Sequence, residues 1–300
     1  MPAIVIHGIA SALYAGLAWH FWRTRWRGAA PRGLQAWERA AILAPLALHG
    51  WLLYEGLFSH ALRFGFAQAL SVMMFLGVAL YWIENLFYDL DGMQPLVLPL
   101  AAIAVPLPAL FPGLASSGAH ADAAAFKLHL ALAMVAYSLF VIAALHAALM
   151  AALERRLHHK LRGLSANLPP LLTLEQLLFR VIGAAFVFLT LTLITGIAFS
   201  ETLFGRPMRA DHKTVFALLS WITFGLLLGG RMLYGWRGRT ALRWTLSGFV
   251  MLLAAYVGSR FVLEVLLQRP CWTSSRSPGL SARSWFCSCC RDSSRSPRPA

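Results

Sequence analysis

The sequence predicts an all-α, polytopic membrane protein with about eight transmembrane helices, and three observations carry that prediction. Of its 300 residues, 59% are hydrophobic and only 13% charged, with a mean hydropathy of +0.64, which leaves too few polar side chains to cover a soluble domain of this size. The apolar residues come in unbroken runs of about 18 or more, where a β-barrel would show short alternating segments; in hydrocarbon such runs satisfy their backbone hydrogen bonds only as helices. The Lys and Arg residues behind the net charge of +14 sit in short loops between the runs, where they read as topology signals. Soluble enzyme folds are thereby excluded, and the bilayer, not nucleic acid, is the partner of this basic chain.

Eight runs can be marked, at roughly 3–22, 39–58, 66–87, 95–112, 127–153, 175–200, 213–233 and 241–267. The first follows only Met1-Pro2-Ala3, without the basic leader of a cleavable signal. The second encloses His49, and the third is apolar almost throughout. Pro95, Pro99, Pro106, Pro108 and Pro112 interrupt the backbone ladder of the fourth, so a kinked crossing and a re-entrant segment are both open. The fifth opens at His129 and continues through Ala131, Ala133, Ala136, Ala143 and Ala144, small residues that admit either a neighbouring helix or a planar ligand. The sixth and seventh are long and apolar, and the eighth carries Arg260 and Glu264 near its end. Trp19, Trp22, Trp26, Trp37, Trp221, Trp236 and Trp244 are read as an aromatic belt at the run ends.

If the eight runs alternate, one side collects thirteen cations: Arg23, Arg25, Arg27, Arg32, Arg39, Arg155, Arg156, Lys160, Arg162, Arg231, Arg237, Arg239 and Arg243. The other side holds five, Arg63, Lys127, Arg206, Arg209 and Lys213. That bias puts the first set in the cytoplasm and both termini on the periplasmic side of a bacterial inner membrane. Residues 1–267 form the membrane domain. Residues 268–300 do not extend it: from Arg269 to Ala300 there are nine Ser, four Pro, six Arg and all four Cys, without apolar periodicity. This is the composition of a disordered tail, or of an extension read out of frame. Cys287, Cys289 and Cys290 lack a second ligand pair at zinc-like spacing.

Histidine is the side chain here with chemistry to offer. An imidazole in hydrocarbon needs a partner, and ten are present. The topology sends His60, His120, His129 and His212 to the outer face, leaves His49 inside the second run, and puts His20, His146, His158 and His159 toward the cytoplasm. A cluster of outer imidazoles suits an external haem or metal site, since neutral imidazole is a common axial ligand of haem iron; interfacial histidines without a ligand are the plainer alternative. Arg260 is placed to pair with a haem propionate, with Glu264, or with the interface. No Ser-His-Asp, HExxH, P-loop or GxGxxG pattern appears in a usable context.

Three stretches resemble the membrane-spanning cytochrome c assembly family of the CcsA/CcmC type, and within it the shorter YpjD-like inner-membrane branch. The longest runs from Leu174-Glu175-Gln176 through Phe179-Arg180-Val181-Ile182-Gly183, Leu189-Thr190 and Thr195-Gly196 to Asp211-His212-Lys213-Thr214, Trp221 and Tyr234-Gly235-Trp236-Arg237-Gly238-Arg239; the others are His129-Leu130 to Ala136-Tyr137 and Leu48-His49 to Arg63. The resemblance implies a haem-handling assembly factor, not an enzyme, that presents haem b at the outer face to apocytochrome c alongside other cytochrome c assembly proteins. It makes His129 an external and His49 an intramembrane haem-iron ligand, with His212 and Arg260 as further cofactor-binding residues. Two of the family's features are missing: Phe204-Gly205-Arg206-Pro207-Met208-Arg209-Ala210 contains no Trp where the family has a tryptophan-rich loop, and no His follows His212. Those departures keep a second reading open, a transporter or accessory subunit of a membrane ion-export system that has kept the scaffold and lost the cofactor.

Overall fold

The computed structural model describes residues 3–27, 33–58, 64–90, 92–111, 124–158, 171–204 and 212–262, and every regular element among them is a helix. In order these are α1 (Ala3–Phe21, extended by a wider π-helical turn at Trp22–Arg27), α2 (Ala36–Phe58), α3 (Phe66–Phe87), α4 (Gln94–Ala104), α5 (Leu107–Leu110), α6 (Ala124–His158), α7 (Leu171–Phe204), α8 (His212–Tyr234), α9 (Gly238–Leu253) and, after a π-helical turn at Ala254–Gly258, α10 (Ser259–Phe261). Seven helical stretches are long and apolar enough to cross a membrane, and Gln94–Leu110 is a shorter apolar piece. Each predicted run thus coincides with one helical stretch. The 268–300 tail, Glu264, His60, His120 and His159 lie outside the described residues.

The proline-rich fourth run is a kinked helical stretch, shorter than the seven candidate spans, that lies antiparallel to α1. Trp26 donates its indole N–H to the Gly92 carbonyl (3.1 Å), Ser11 its hydroxyl to that of Ala102 (2.7 Å), and His7 Nδ1 sits 2.7 Å from that of Val105. The two chains therefore pass each other from end to end. The kink falls at Val105-Pro106, between α4 and α5, because Pro106 has no N–H to continue the ladder.

Helix α6 stands between two groups. On one side α1 packs on α2 and α4, and α3 on α2 and α4; on the other, α8 packs on α7 and α9. Helix α6 itself lies against α7, α3 and α9. Its alanines make this possible: Ala136, Ala143 and Ala147 are fully buried, so the small residues of the fifth run serve close helix approach. Phe140 of α6 stacks on Phe224 of α8 with ring centroids 4.0 Å apart, over Gly248 of α9, where a Cβ would lie 2.9 Å from the Phe224 ring.

Three residues read from sequence as loop cations or belt residues play other parts. Arg25, 4% exposed, is buried in the π-helical turn and donates to Glu38 Oε2 at 2.6 Å. Glu38 in turn accepts the backbone N–H of Gln35 (2.9 Å) and lies 3.0 Å from His20, so the start of α2 is capped and tied to α1. Arg231 lies within α8 and reaches Glu175 of α7. Trp221 is in the middle of α8, donating to Thr190 Oγ1 (2.9 Å) and stacked on Phe186; a hydrogen-bond partner inside the bundle, not the water interface, holds it there.

Candidate functional site

His49 points into the first helix group and is 1% exposed. Its Nε2 is 2.9 Å from Ser71 Oγ on α3, and the ring meets Tyr14 of α1 and Phe75 of α3 edge-on, at centroid distances of 5.9 and 5.5 Å. Gly50 admits Phe75: a Cβ there would be 3.1 Å from the ring. His49 Nδ1 and the Tyr14 hydroxyl are buried without a hydrogen-bond partner. An unmet buried polar atom costs about 1–3 kcal/mol, so this apolar surround keeps two polar atoms that the described residues do not satisfy.

His129 sits in the second turn of α6 and is half-buried. Its Nδ1 is 2.9 Å from Thr195 Oγ1 on α7, and the Thr195 hydroxyl has two carbonyl acceptors of its own, Leu191 (2.8 Å) and Thr192 (3.1 Å). When its hydrogen lies on either carbonyl, Oγ1 accepts from His129 Nδ1–H, the tautomer that leaves the Nε2 lone pair open. This is the arrangement in which a protein prepares an imidazole to bind a metal. Gly196 makes the approach possible, since a Cβ there would lie 3.3 Å from His129 Cε1.

The remaining predicted site residues stand apart. His212 is exposed as the first residue of α8. Arg260 belongs to α10, and its side chain lies outside the described residues, as does that of His158. Among the described residues no hydrogen bond or ring contact joins His49, His129 and His212, and the two principal imidazoles belong to different helix pairs, α2/α3 and α6/α7. The structure therefore offers two separate histidine sites and not one cluster.

Sequence reasoning missed the residues that orient them. Ser71 and Thr195 are ordinary hydroxyls in apolar runs, and only the helix pairing sets them beside an imidazole. It also missed Glu175, which accepts from both Arg231 and Arg237 (2.8 Å for the latter) and so ties α7 to the turn between α8 and α9. In that turn Gly235 and Gly238 adopt φ of +65° and +55°, a left-handed backbone suited to glycine. Trp236 between them folds over Gly230, so closely that a Cβ at Gly230 would overlap the indole. The Gly-Trp-Arg-Gly stretch singled out in the sequence is a structural latch.

The inner membrane protein YpjD of Escherichia coli K12 is 34% identical over 139 residues, 46% of this chain and 52% of its own length. A 28.8 kDa protein in the nifR3-like 5' region of Azospirillum brasilense is 37% identical over 142 residues, 47% of this chain and 52% of its own. The cytochrome c biogenesis protein CcsA of Microcystis aeruginosa is 35% identical over 86 residues, 29% of this chain and 26% of its own. The matched part is about half the length of the first two relatives. No solved structure matches. The Cytochrome C assembly protein family matches residues 39–267, which hold most of α2, all of α3 to α10 and both principal histidines, and this chain belongs to that family.

Proposed function

We propose that this protein is a haem-binding membrane factor in cytochrome c assembly, handling or presenting haem b at the outer face of a bacterial inner membrane. The observation that carries the reading is His129, with Nδ1 tied to Thr195 and the Nε2 lone pair left open. When bound, haem would supply an iron for imidazole to ligate. This chain's residues would hold and orient it, His129 from the outer half of α6 and His49 from within the bundle, with Arg260 as a propionate partner and His212 as a further imidazole at the start of α8. Apocytochrome c and other assembly proteins are the partners this role requires. The protein then acts as an assembly factor, with no bond-making residue of its own.

The test is the absorption spectrum and haem-to-protein ratio of the detergent-purified protein and of its His49→Ala and His129→Ala variants, with membrane abundance checked for each. A Soret band is expected in the wild type. The two variants should differ, with the larger haem loss in His49→Ala, because the sequence lacks the tryptophan-rich loop and the second outer histidine that would support an external site. Unchanged haem content in both would end the ligand assignment. Those same two absences favour the second reading, a transporter or accessory subunit of an ion-export system, which predicts a wild-type protein without a Soret band.

A further inference from the structure

The seam between α3 and α6 holds two ionisable side chains that the haem reading does not use. Glu84, near the end of α3, turns Oε2 toward Nε2 of His146 on α6, 3.6 Å away. His146 is 0% exposed, and neither of the two facing atoms has a hydrogen-bond partner or contact with solvent. The other imidazole nitrogen is committed: Nδ1 lies 2.9 Å from the Ile142 carbonyl, which only accepts, so Nδ1 carries a hydrogen. Nε2 then meets the carboxyl with either a lone pair or a second hydrogen. Two lone pairs face to face, one of them on a charged carboxylate, are costly in a low-dielectric interior. A full ion pair would also remain desolvated, because no further donor reaches Glu84 Oε2. One proton between the two atoms removes both difficulties.

The surroundings isolate the pair from other charges. Glu84 shares a face of α3 with Tyr81 and Tyr88, at helical spacings of three and four residues, and Asn85 is the next residue along the chain. Asn85 is 2% exposed and neither of its amide atoms has a partner. Tyr88 accepts a hydrogen bond from Arg180 of α7 (2.8 Å) at an exposed position. Of the elements packed nearby, α4 brings only the neutral Gln94, and α2 brings Arg39 and Glu38, the latter bound to Arg25 and His20. Helix α7 brings Arg180 and Glu175, which is held by Arg231 and Arg237, and α9 brings Arg239 and Arg243. Among the described residues none of these makes an ion pair with Glu84 or His146.

We propose that Glu84 and His146 form a proton-holding site, a neutral carboxyl–imidazole pair that keeps one exchangeable proton inside the bundle. The proton rests on Glu84 Oε2, facing the lone pair of His146 Nε2; loading and unloading exchange it with water. The site needs no haem.

The experiment is infrared spectroscopy of the full-length, haem-free protein in phosphatidylethanolamine/phosphatidylglycerol vesicles at neutral pH, comparing H2O with D2O. The wild type should show a protonated-carboxyl C=O band that shifts on deuteration, is lost in Glu84→Gln and is displaced in His146→Gln. The proposal is overturned if the wild type lacks the band, if the band survives Glu84→Gln, or if His146→Gln leaves it in place. Should Glu84→Gln fail to accumulate in the membrane, Glu84→Asp takes its place: it keeps the carboxyl but alters its distance, so an unshifted band there also overturns the assignment. Failure of the haem reading would show in the Soret region and leaves this measurement untouched.

Discussion

Thr195 engages Nδ1 of His129, and that gives the haem reading a test beyond removal of the ligand. Thr195→Val keeps the shape of the side chain but takes away the hydroxyl partner of Nδ1. The ring is then free to rotate and change tautomer, and orienting partners of this kind are typically worth about 10- to 100-fold in affinity. Haem titration of purified Thr195→Val should therefore show binding weaker by about tenfold or more, restored by Thr195→Ser. Equal affinity in the valine variant would mean that Thr195 does not orient the ring. At this scale the sequence was half legible. His49 and His129 stand out because an imidazole in an apolar run is anomalous by itself. Their partners Ser71 and Thr195, 22 and 66 residues away, do not, because a hydroxyl in a membrane helix commonly bonds to its own backbone, as Thr190 does to Phe186. Nothing in the sequence said that α6 would bring His146 to Glu84.

Among the elements, the turn between α8 and α9 shows what a motif can do without touching a ligand. Arg231, one of its anchors, also lies over the ring of Phe179, 4.6 Å from the centroid, so α7, α8 and α9 are joined through Glu175, Phe179 and Trp236. Glu175→Gln leaves two guanidinium groups without their shared carboxylate. Since Arg231 and Arg237 are partly exposed, the cost is limited to about 1–3 kcal/mol. It should appear as a lower unfolding midpoint in detergent with haem binding unchanged at low temperature. Gly248→Ala should destabilise to a similar extent, because its Cβ meets the Phe224 ring, itself stacked on Phe140; overpacking of this kind costs about 1–3 kcal/mol. Phe224→Leu in the same chain should recover part of the loss, and failure to do so would place the strain elsewhere. Helix existence was readable throughout from apolar length. The character of the fourth run was not, since five prolines fit a kink and a re-entrant loop equally well until hydrogen bonds from His7, Ser11 and Trp26 settle its direction.

For the molecule as a whole, the antiparallel course of α4 along α1 keeps the alternation on which the charge count rests. Arg25 is bound to Glu38, and Arg231 and Arg237 to Glu175, so they are structural cations. Removing all three from the thirteen leaves ten against five, and the bias keeps its sign. Reporters fused after Arg32, Arg162 and Arg239 should accordingly read cytoplasmic, and those at Ser117 and Arg206 periplasmic. A periplasmic reading at Arg162 would break the eight-pass arrangement.

The seam between α3 and α6 bears on how the protein is made. A ribosome delivers α1 to α5 to the membrane before α6 exists, and during that interval Glu84 lacks the His146 that will later stand against it. The nascent first half is thus an unfinished surface with an unmet carboxyl at membrane depth, a feature that membrane quality control can act on. A fragment ending at residue 115 should be degraded when expressed alone and should persist when the remainder of the chain is supplied as a second polypeptide, with pulse-chase lifetimes as the readout. Equal lifetimes in the two cases would mean that the first half completes itself, and that the arrival of α6 does not decide whether the chain survives its own synthesis.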